Sequence, residues 1–395
     1  MRGTADRSRP PAVEHDVVRV CQALIAAPSE NPPGDERAVA TLVADLLSPA
    51  GFSLTWERPH PRRPSIVAHL RRGPGPRLVF QAHSDTKPAA AAGWTVDPLG
   101  GEVRDGRLYG LGACDTKGGL AAQLVAARLL AERDNWSGEL VLQAVADEED
   151  GSQLGAGHLL EQGLLAADGA IVAEPTGCVP SLAQLGNAWA EITITGQAAH
   201  AGTPERGTDA FQAALLYIAE IEALLATIEP DPAFPGHPRL NVGHLSVPGH
   251  PGTVPGQCSL RCDIRVLPGH DRDDVLALYG RAAERVRERI TAQVALTPYQ
   301  GGGGRSHRVD AGSPLAAAFR TTREQSGRAP SWQPFAGGTD ARYFAAAGTA
   351  AVVYGPGDLA QAHAPDEFVP VDELELAVED LCNTAHHFLE ATITP

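Results

Sequence analysis

The stretch Val141–Gly157, "VLQAVADEEDGSQLGAG", runs from an unbroken apolar segment into four consecutive acids, Asp147, Glu148, Glu149 and Asp150. The apolar part reads as a β-strand, hydrophobic enough to lie in the middle of a sheet. Four like charges where such a strand surfaces repel and raise one another's pKa values. A solvated turn can tolerate that repulsion, and so can a bound cation. Three other segments share the design of a glycine-bounded or apolar segment that ends in an acid or a histidine. "LVFQAHSD" yields His83 and Asp85, "LYGLGACDTKGG" yields Asp115, and "GAIVAEPTG" yields Glu174. In an open α/β sheet the carboxyl ends of the strands meet along one edge, where ligands bind. Carboxylates gathered there are unfavourable without a cation, and carboxylate with imidazole suits zinc.

Around these segments the chain alternates helix-like and strand-like runs. "DERAVATLVADLLSPAG" and "TKGGLAAQLVAARLLAERD" have helical character, and "SIVAHL" and "RLVFQA" are short β-rich runs. That alternation predicts an α/β fold with a central mixed, mostly parallel sheet covered by helices. After Gly186 the pattern changes. "AWAEITITGQ" alternates as a half-exposed strand, "RLNVGHLSV" and "QCSLRCDIRV" read as paired strands, one long helix follows the first strand and a second follows the last. This predicts an inserted α+β lid or dimerisation domain, an antiparallel sheet with two helices, spanning about 187–300. The catalytic domain then occupies 1–186 and 301–395, with residues 1–12 disordered and Gly301–Gly304 a hinge.

Composition narrows the function. The 395 residues carry a formal net charge of -16, which argues against a nucleic-acid partner, because phosphate binding needs clustered Lys and Arg. No run approaches 18 uninterrupted apolar residues, so no membrane span is expected. The N-terminus has arginines but no apolar core of the kind a secretory signal carries. The six cysteines form no C-x-x-C pair. Cys258 and Cys262 share a strand face roughly 13 Å apart, at ~3.3 Å per residue, too far for a bridge within the strand. The expectation is reduced thiols in a cytoplasmic protein.

Taken singly, His83 or His363 reads as a structural histidine, Asp115 as a helix N-cap and "GLGACDTKGG" as a turn. The phosphate-loop pattern G-x-x-x-x-G-K-[ST] is not satisfied there, and no G-x-S-x-G elbow is present. Six segments in one order say more. "HSD", "GACDTKGG", "DEEDGSQLGA", "AEPTG", "AAHAGTP" and "AHAPDEFVP" together resemble the family of dinuclear zinc amidohydrolases and exopeptidases. That family includes acetylornithine deacetylase, succinyl-diaminopimelate desuccinylase, aminoacylase and glutamate carboxypeptidase, and the resemblance spans nearly the whole chain.

The resemblance implies two divalent metal ions, Zn2+ foremost with Co2+ or Mn2+ as alternatives. Asp115 bridges them, His83 and Glu174 complete one site, and Glu149 and His363 complete the other. Two such ions hold a water and polarise a carbonyl together. Glu148 acts as general base, and Asp85 fixes the tautomer of His83. The Asp115–Thr116 peptide bond is cis. His200 stabilises the oxyanion, in its own subunit or in the partner of a homodimer. Arg265 grips a substrate carboxylate, and the backbone N–H groups of the Gly-rich loop with Gly338 and Thr339 hold an anionic group. Asp147 and Asp150 are structural or solvated.

Three residues depart from the family pattern. Thr253 stands where an asparagine commonly contacts substrate, "GGTDA" lacks the serine many deacylases carry, and Lys87 replaces a small or apolar residue after the H-x-D motif. The implied activity is hydrolysis of an N-acyl amino acid or similar small N-acylated amine. The alternatives are a dipeptidase or glutamate-type carboxypeptidase with the same site, and a non-hydrolytic ligand-binding or amide-forming relative. The presence of Glu148 argues against the last.

Overall fold

The run ending at Val145 is a strand because its side chains have nowhere to go but inward: of Gly138–Val145 only Glu139 is not fully buried. The computed structural model describes residues 11–89 and 92–390. The chain divides into two units. The first comprises Met1–Leu182, Val309–Gln333 and Thr339–Pro395, and the second Ala183–Arg308 with Pro334–Gly338. The expected limits of 187–300 lie inside the second unit. Of the segment 1–12 expected to be disordered, residues 1–10 lie outside the described residues, whereas Pro11 and Ala12 open a helix.

The principal elements of the first unit begin with helices α1 (Pro11–Ala26) and α2 (Arg37–Leu47) and strands β1 (Ser53–Glu57), β2 (Ser65–Arg72) and β3 (Arg77–His83). Helix α3 (Gly118–Ala131), β4 (Gly138–Val145) and β5 (Gly169–Val172) follow. The second unit contributes β6 (Gly186–Thr195), α4 (Ala210–Leu225), β7 (Leu240–Ser246), β8 (Gln257–Val266), α5 (Arg272–Arg289) and β9 (Gln293–Gly304). The chain then returns to the first unit with α6 (Pro314–Gln325), β10 (Ala351–Val353) and α7 (Val371–Glu390).

In the first unit the strands run β1–β2–β4–β3–β5–β10. The two outer pairings, β1 with β2 and β2 with β4, are antiparallel. The other three are parallel. From β3 the chain crosses through α3 to β4 on one side, then returns to place β5 on the other. The strand order therefore reverses beside β3, which is where an open α/β sheet forms its ligand crevice. Helix α3 is rich in Ala and Leu and packs against α1 and α7. At Gly119 an added Cβ would lie 2.8 Å from that of Ala173, so glycine there lets the helix start press against the end of β5.

In the second unit the order is β7–β8–β6–β9, all antiparallel. Strict alternation puts Ala190, Ile192 and Ile194 of β6 and Leu260, Cys262 and Ile264 of β8 into one core with Tyr217 of α4 and Tyr279 of α5. Asp209 caps α4 by accepting the Phe211 and Gln212 N–H groups. The glycine run expected as a hinge is instead the end of β9, where Gly303 and Gly304 pair with Ala188 and Asn187. The reason is space: a Cβ on Gly186 would sit 2.3 Å from the Gly304 carbonyl oxygen, so two backbones meet where side chains do not fit.

Candidate metal centre

The parallel strands of the first unit deliver their carboxyl ends to one edge. His83 is the last residue of β3, Glu148 and Glu149 follow β4, and Glu174 follows β5. Asp115 arrives on the tight turn before α3, through an Asp115–Thr116 peptide bond that is cis. His363 comes from the loop after β10, with φ of +60°, a left-handed backbone uncommon outside glycine.

These residues form two groups. Potential ligand atoms of His83, Asp115 and Glu174 lie within 4.8 Å of one another, as do those of Asp115, Glu149 and His363. Asp115 belongs to both. Its Oδ1 is 2.9 Å from His83 Nε2 and its Oδ2 is 3.4 Å from His363 Nε2. Glu149 Oε1 stands 3.1 Å from the same His363 nitrogen. The first group is buried, whereas the His363 side chain is 49% exposed, so the second group opens to solvent. A narrow cleft of about 40 Å³ reaches it, lined by Lys87, Trp94, Asp115, Glu149, His363 and Glu367 among others.

The electrostatics fit cations. Burial pushes Glu174 well above the ordinary carboxylate range, and the Asp115 and Glu148 charges add to it. Burial likewise lifts Glu148 to about 8. Burial would lower His83, but the neighbouring acids Asp115 and Asp85 outweigh it and raise the ring; His363 is raised to about 10 by Asp115 and Glu149. Without metal, protons therefore do the neutralising that divalent cations would do, and the donor set of imidazole and carboxylate accepts such ions.

A ring of polar groups holds the donors in place. His83 Nδ1 donates to the Asp85 backbone carbonyl at 2.9 Å, which leaves Nε2 as the atom that could take a metal. The Asp85 carboxylate was expected in that role, but its Oδ1 lies 3.6 Å away. It is drawn off to three other donors: the Glu148 and Glu149 N–H groups at 3.1 and 3.2 Å and Asn31 Nδ2 at 2.8 Å. Asp147 is structural as expected, buried and paired with Arg63 at 3.0 Å, whereas Asp150 is exposed. Arg63 also grips Glu36 at 2.7 Å and reaches Asp85 at 3.9 Å. Glu367 accepts the N–H groups of Gly112, Cys114 and Asp115, which clamps the turn carrying the shared ligand.

Sequence reasoning assigned no part to Arg63, Asn31, Glu36 or Glu367. Glu367 lies in "AHAPDEFVP", a segment that carried a signal without a role for it; Asn31, Glu36 and Arg63 had none. Asp340 was also passed over. It is buried, its Oδ1 accepts from the Ser152 hydroxyl, and its charge helps raise Glu148.

The remaining expected residues lie mostly in the second unit. His200 is exposed, on a two-residue ladder opposite Thr253. Its Nδ1 accepts the Gly202 N–H at 3.0 Å, which puts the ring proton of the neutral imidazole on Nε2. Arg265 is ion-paired with Asp263 at 2.9 Å, and both line a cleft of about 700 Å³ with His237 and Asn241. Gly338 is half-buried in its loop. Thr339, in the first unit, is fully buried and its hydroxyl accepts the Ala341 N–H, so its side chain is engaged at the start of a helix and the expected anion contact falls to its backbone N–H.

Comparison with known proteins bears on this centre. The family model described as Peptidase family M20/M25/M40 matches residues 79–387. An acetylornithine deacetylase from Myxococcus xanthus is 35% identical over 316 residues, covering 79% of this chain and 80% of the relative. Among solved structures, the aminopeptidase PepT from Bacillus cereus aligns with a TM-score of 0.77 at 21% identity, over 95% of this chain and 98% of that one. A Bacillus subtilis protein described as a dinuclear metal binding peptidase from the M20 family aligns with a TM-score of 0.74 at 17% identity, over 96% and 99%. At those identities the structures speak for the fold alone.

Proposed function

The chain belongs to peptidase family M20/M25/M40, and from that premise we propose that it hydrolyses the amide bond of an N-acyl amino acid at a two-metal centre. One observation carries the reading: Asp115 offers a separate carboxylate oxygen to each of two imidazoles, His83 and His363. A structural aspartate has no need of that arrangement, whereas a ligand shared by two cations does. The 35% identity to an acetylornithine deacetylase supports an N-acylated amino acid as the substrate class.

Zinc is the metal this reading assigns, with cobalt and manganese open to the same donors. When bound, the ions supply Lewis-acid polarisation of the scissile carbonyl and make water nucleophilic near neutral pH. Glu148 takes the proton from the attacking water and delivers it to the leaving amine. A base on a flexible loop would do this poorly, and Asp85 removes that freedom by holding the Glu148 N–H. His200 would donate from Nε2 to the developing oxyanion and Arg265 would bind a substrate carboxylate, roles that rest on the family pattern and on their exposure.

The same reading includes a homodimer. Strand β7 is an edge strand of its sheet, and Leu245 on it, Val247 just beyond it and Leu215 of α4 are large exposed apolar side chains. Unpaired edges with apolar neighbours favour pairing with a second copy. Six buried free thiols support a reducing, cytoplasmic setting. Among the described residues, no helix is long and apolar enough to cross a membrane.

The test is a panel of N-acetyl, N-succinyl and N-formyl amino acids alongside dipeptides, assayed with metal-reconstituted protein. Release of free amino acid from an N-acyl substrate, abolished by chelation, is expected. Cleavage of dipeptides alone would move the chain to the exopeptidase reading.

A further inference from the structure

Lys87 stands two residues after Asp85, in the segment that follows β3. Its backbone is anchored from both sides through Thr86, whose N–H donates to Ser29 and whose carbonyl accepts from Asn31. From there the side chain reaches the wall of the metal-centre cleft. The ammonium donates to the Glu149 backbone carbonyl and lies 3.5 Å from Glu149 Oε2, with the side chain 38% exposed. Among the described residues lining that cleft it is the only Lys or Arg.

The charges around it sort themselves. Glu367 spends its carboxylate on three backbone N–H groups. Asp115 and Glu149 belong to the ligand groups. Once cations engage those two, Lys87 shares its nearest carboxylate with them while its ammonium stays in the cleft lining. An ammonium in that condition attracts a carboxylate and repels another cation.

Resting on the deacylase reading, we propose that Lys87 is a specificity residue that selects N-acyl amino acids bearing a second carboxylate, and discriminates against cationic side chains. The second carboxylate can sit on the amine side, as in N-acetylglutamate, or on the acyl side, as in N-succinylglutamine.

The experiment uses metal-loaded enzyme and near-isosteric probes: N-acetylglutamate, N-acetylglutamine, N-succinylglutamine and Nα-acetyl-lysine. The acidic probes should lead N-acetylglutamine by about tenfold in kcat/KM, the equivalent of one charge-assisted contact of ~1.4 kcal/mol, with Nα-acetyl-lysine last. In Lys87→Met, which keeps length and removes charge, that lead should vanish through KM, and Lys87→Arg should restore it. Whichever acidic probe loses its lead identifies the side that Lys87 reads. Calorimetry on metal-loaded Glu148→Gln, with and without Lys87→Met, should show the same tenfold change in Kd for the preferred probe, independent of turnover. An unchanged acid-to-amide ratio in Lys87→Met, or an equal loss on every probe, would overturn the assignment while leaving the deacylase reading in place. Failure of wild-type enzyme to hydrolyse any probe would overturn both.

Discussion

Asp85 Oδ1 lies 3.1 Å from the Glu148 backbone nitrogen and 3.6 Å from His83 Nδ1, so an acid that follows His83 by two residues anchors the Glu148 loop beside the imidazole. The same carboxylate takes the Glu149 N–H, which ties the base and a ligand of the second group to one anchor. Asp85→Ala therefore lowers kcat about 100-fold, the lower end of what a positioned base contributes. Steady-state kinetics check this, and an unchanged kcat would leave Asp85 without the anchoring role.

Glu148→Ala keeps two metals per chain and loses at least about 100-fold in turnover. His363→Ala loses one metal, because it removes a ligand unique to the second group. Elemental analysis beside kinetics separates the two, and retained turnover in the first variant would mean that the base is misassigned.

Metal binding releases protons, and the sign follows from the pKa directions. Glu148, Glu174, His83 and His363 all sit above their ordinary values in the metal-free fold, so that fold holds more protons than the unfolded chain. Their contribution to stability therefore diminishes as pH rises. The His363 part is full below the unfolded imidazole pKa of about 6.5 and is lost as pH passes about 10. Chelated protein should lose thermal stability steadily from pH 6 to 9, while metal-loaded protein changes little. Calorimetric titration with Zn2+ at pH 7.5 in buffers of different ionisation enthalpy should register net proton release.

Arg63 is buried against Glu36, Asp147 and Asp85. Arg63→Met leaves three carboxylates short of their cation and should cost about 3–5 kcal/mol, the usual effect of removing one partner from a buried pair. Denaturant unfolding measures it, and a loss under 1 kcal/mol would show that the acids protonate or find water instead.

His200→Ala should lower kcat without changing metal content, since His200 belongs to neither ligand group. Normal kcat would remove it from the mechanism.

Much of this was legible in the sequence because it is encoded locally. Apolar alternation of period two marked β6 and β8, and the Ala/Leu run marked α3. The acids and histidines stood directly after apolar runs, so strand ends and donor residues could be read together. The run Gly301–Gly304 misled for the opposite reason: glycine marks flexibility and close backbone approach alike, and only the neighbouring strand around Gly186 tells which applies.

The residues alone determined that His83 and several carboxylates close apolar or glycine-bounded segments and that one sheet edge gathers them, since burial pattern and strand direction follow from side-chain chemistry and chirality. The full donor set with His363 came from the order of the motifs and the family they resemble. What tertiary structure decided was partnership: which oxygen of Asp115 faces which imidazole, that Asp85 serves the Glu148 loop, that Arg63 reaches across to Asp147, and that Lys87 stands against Glu149. Hydrogen bonds and ion pairs act over about 3–4 Å, and segments far apart in sequence come that close only through the packed core, so no local pattern announces them.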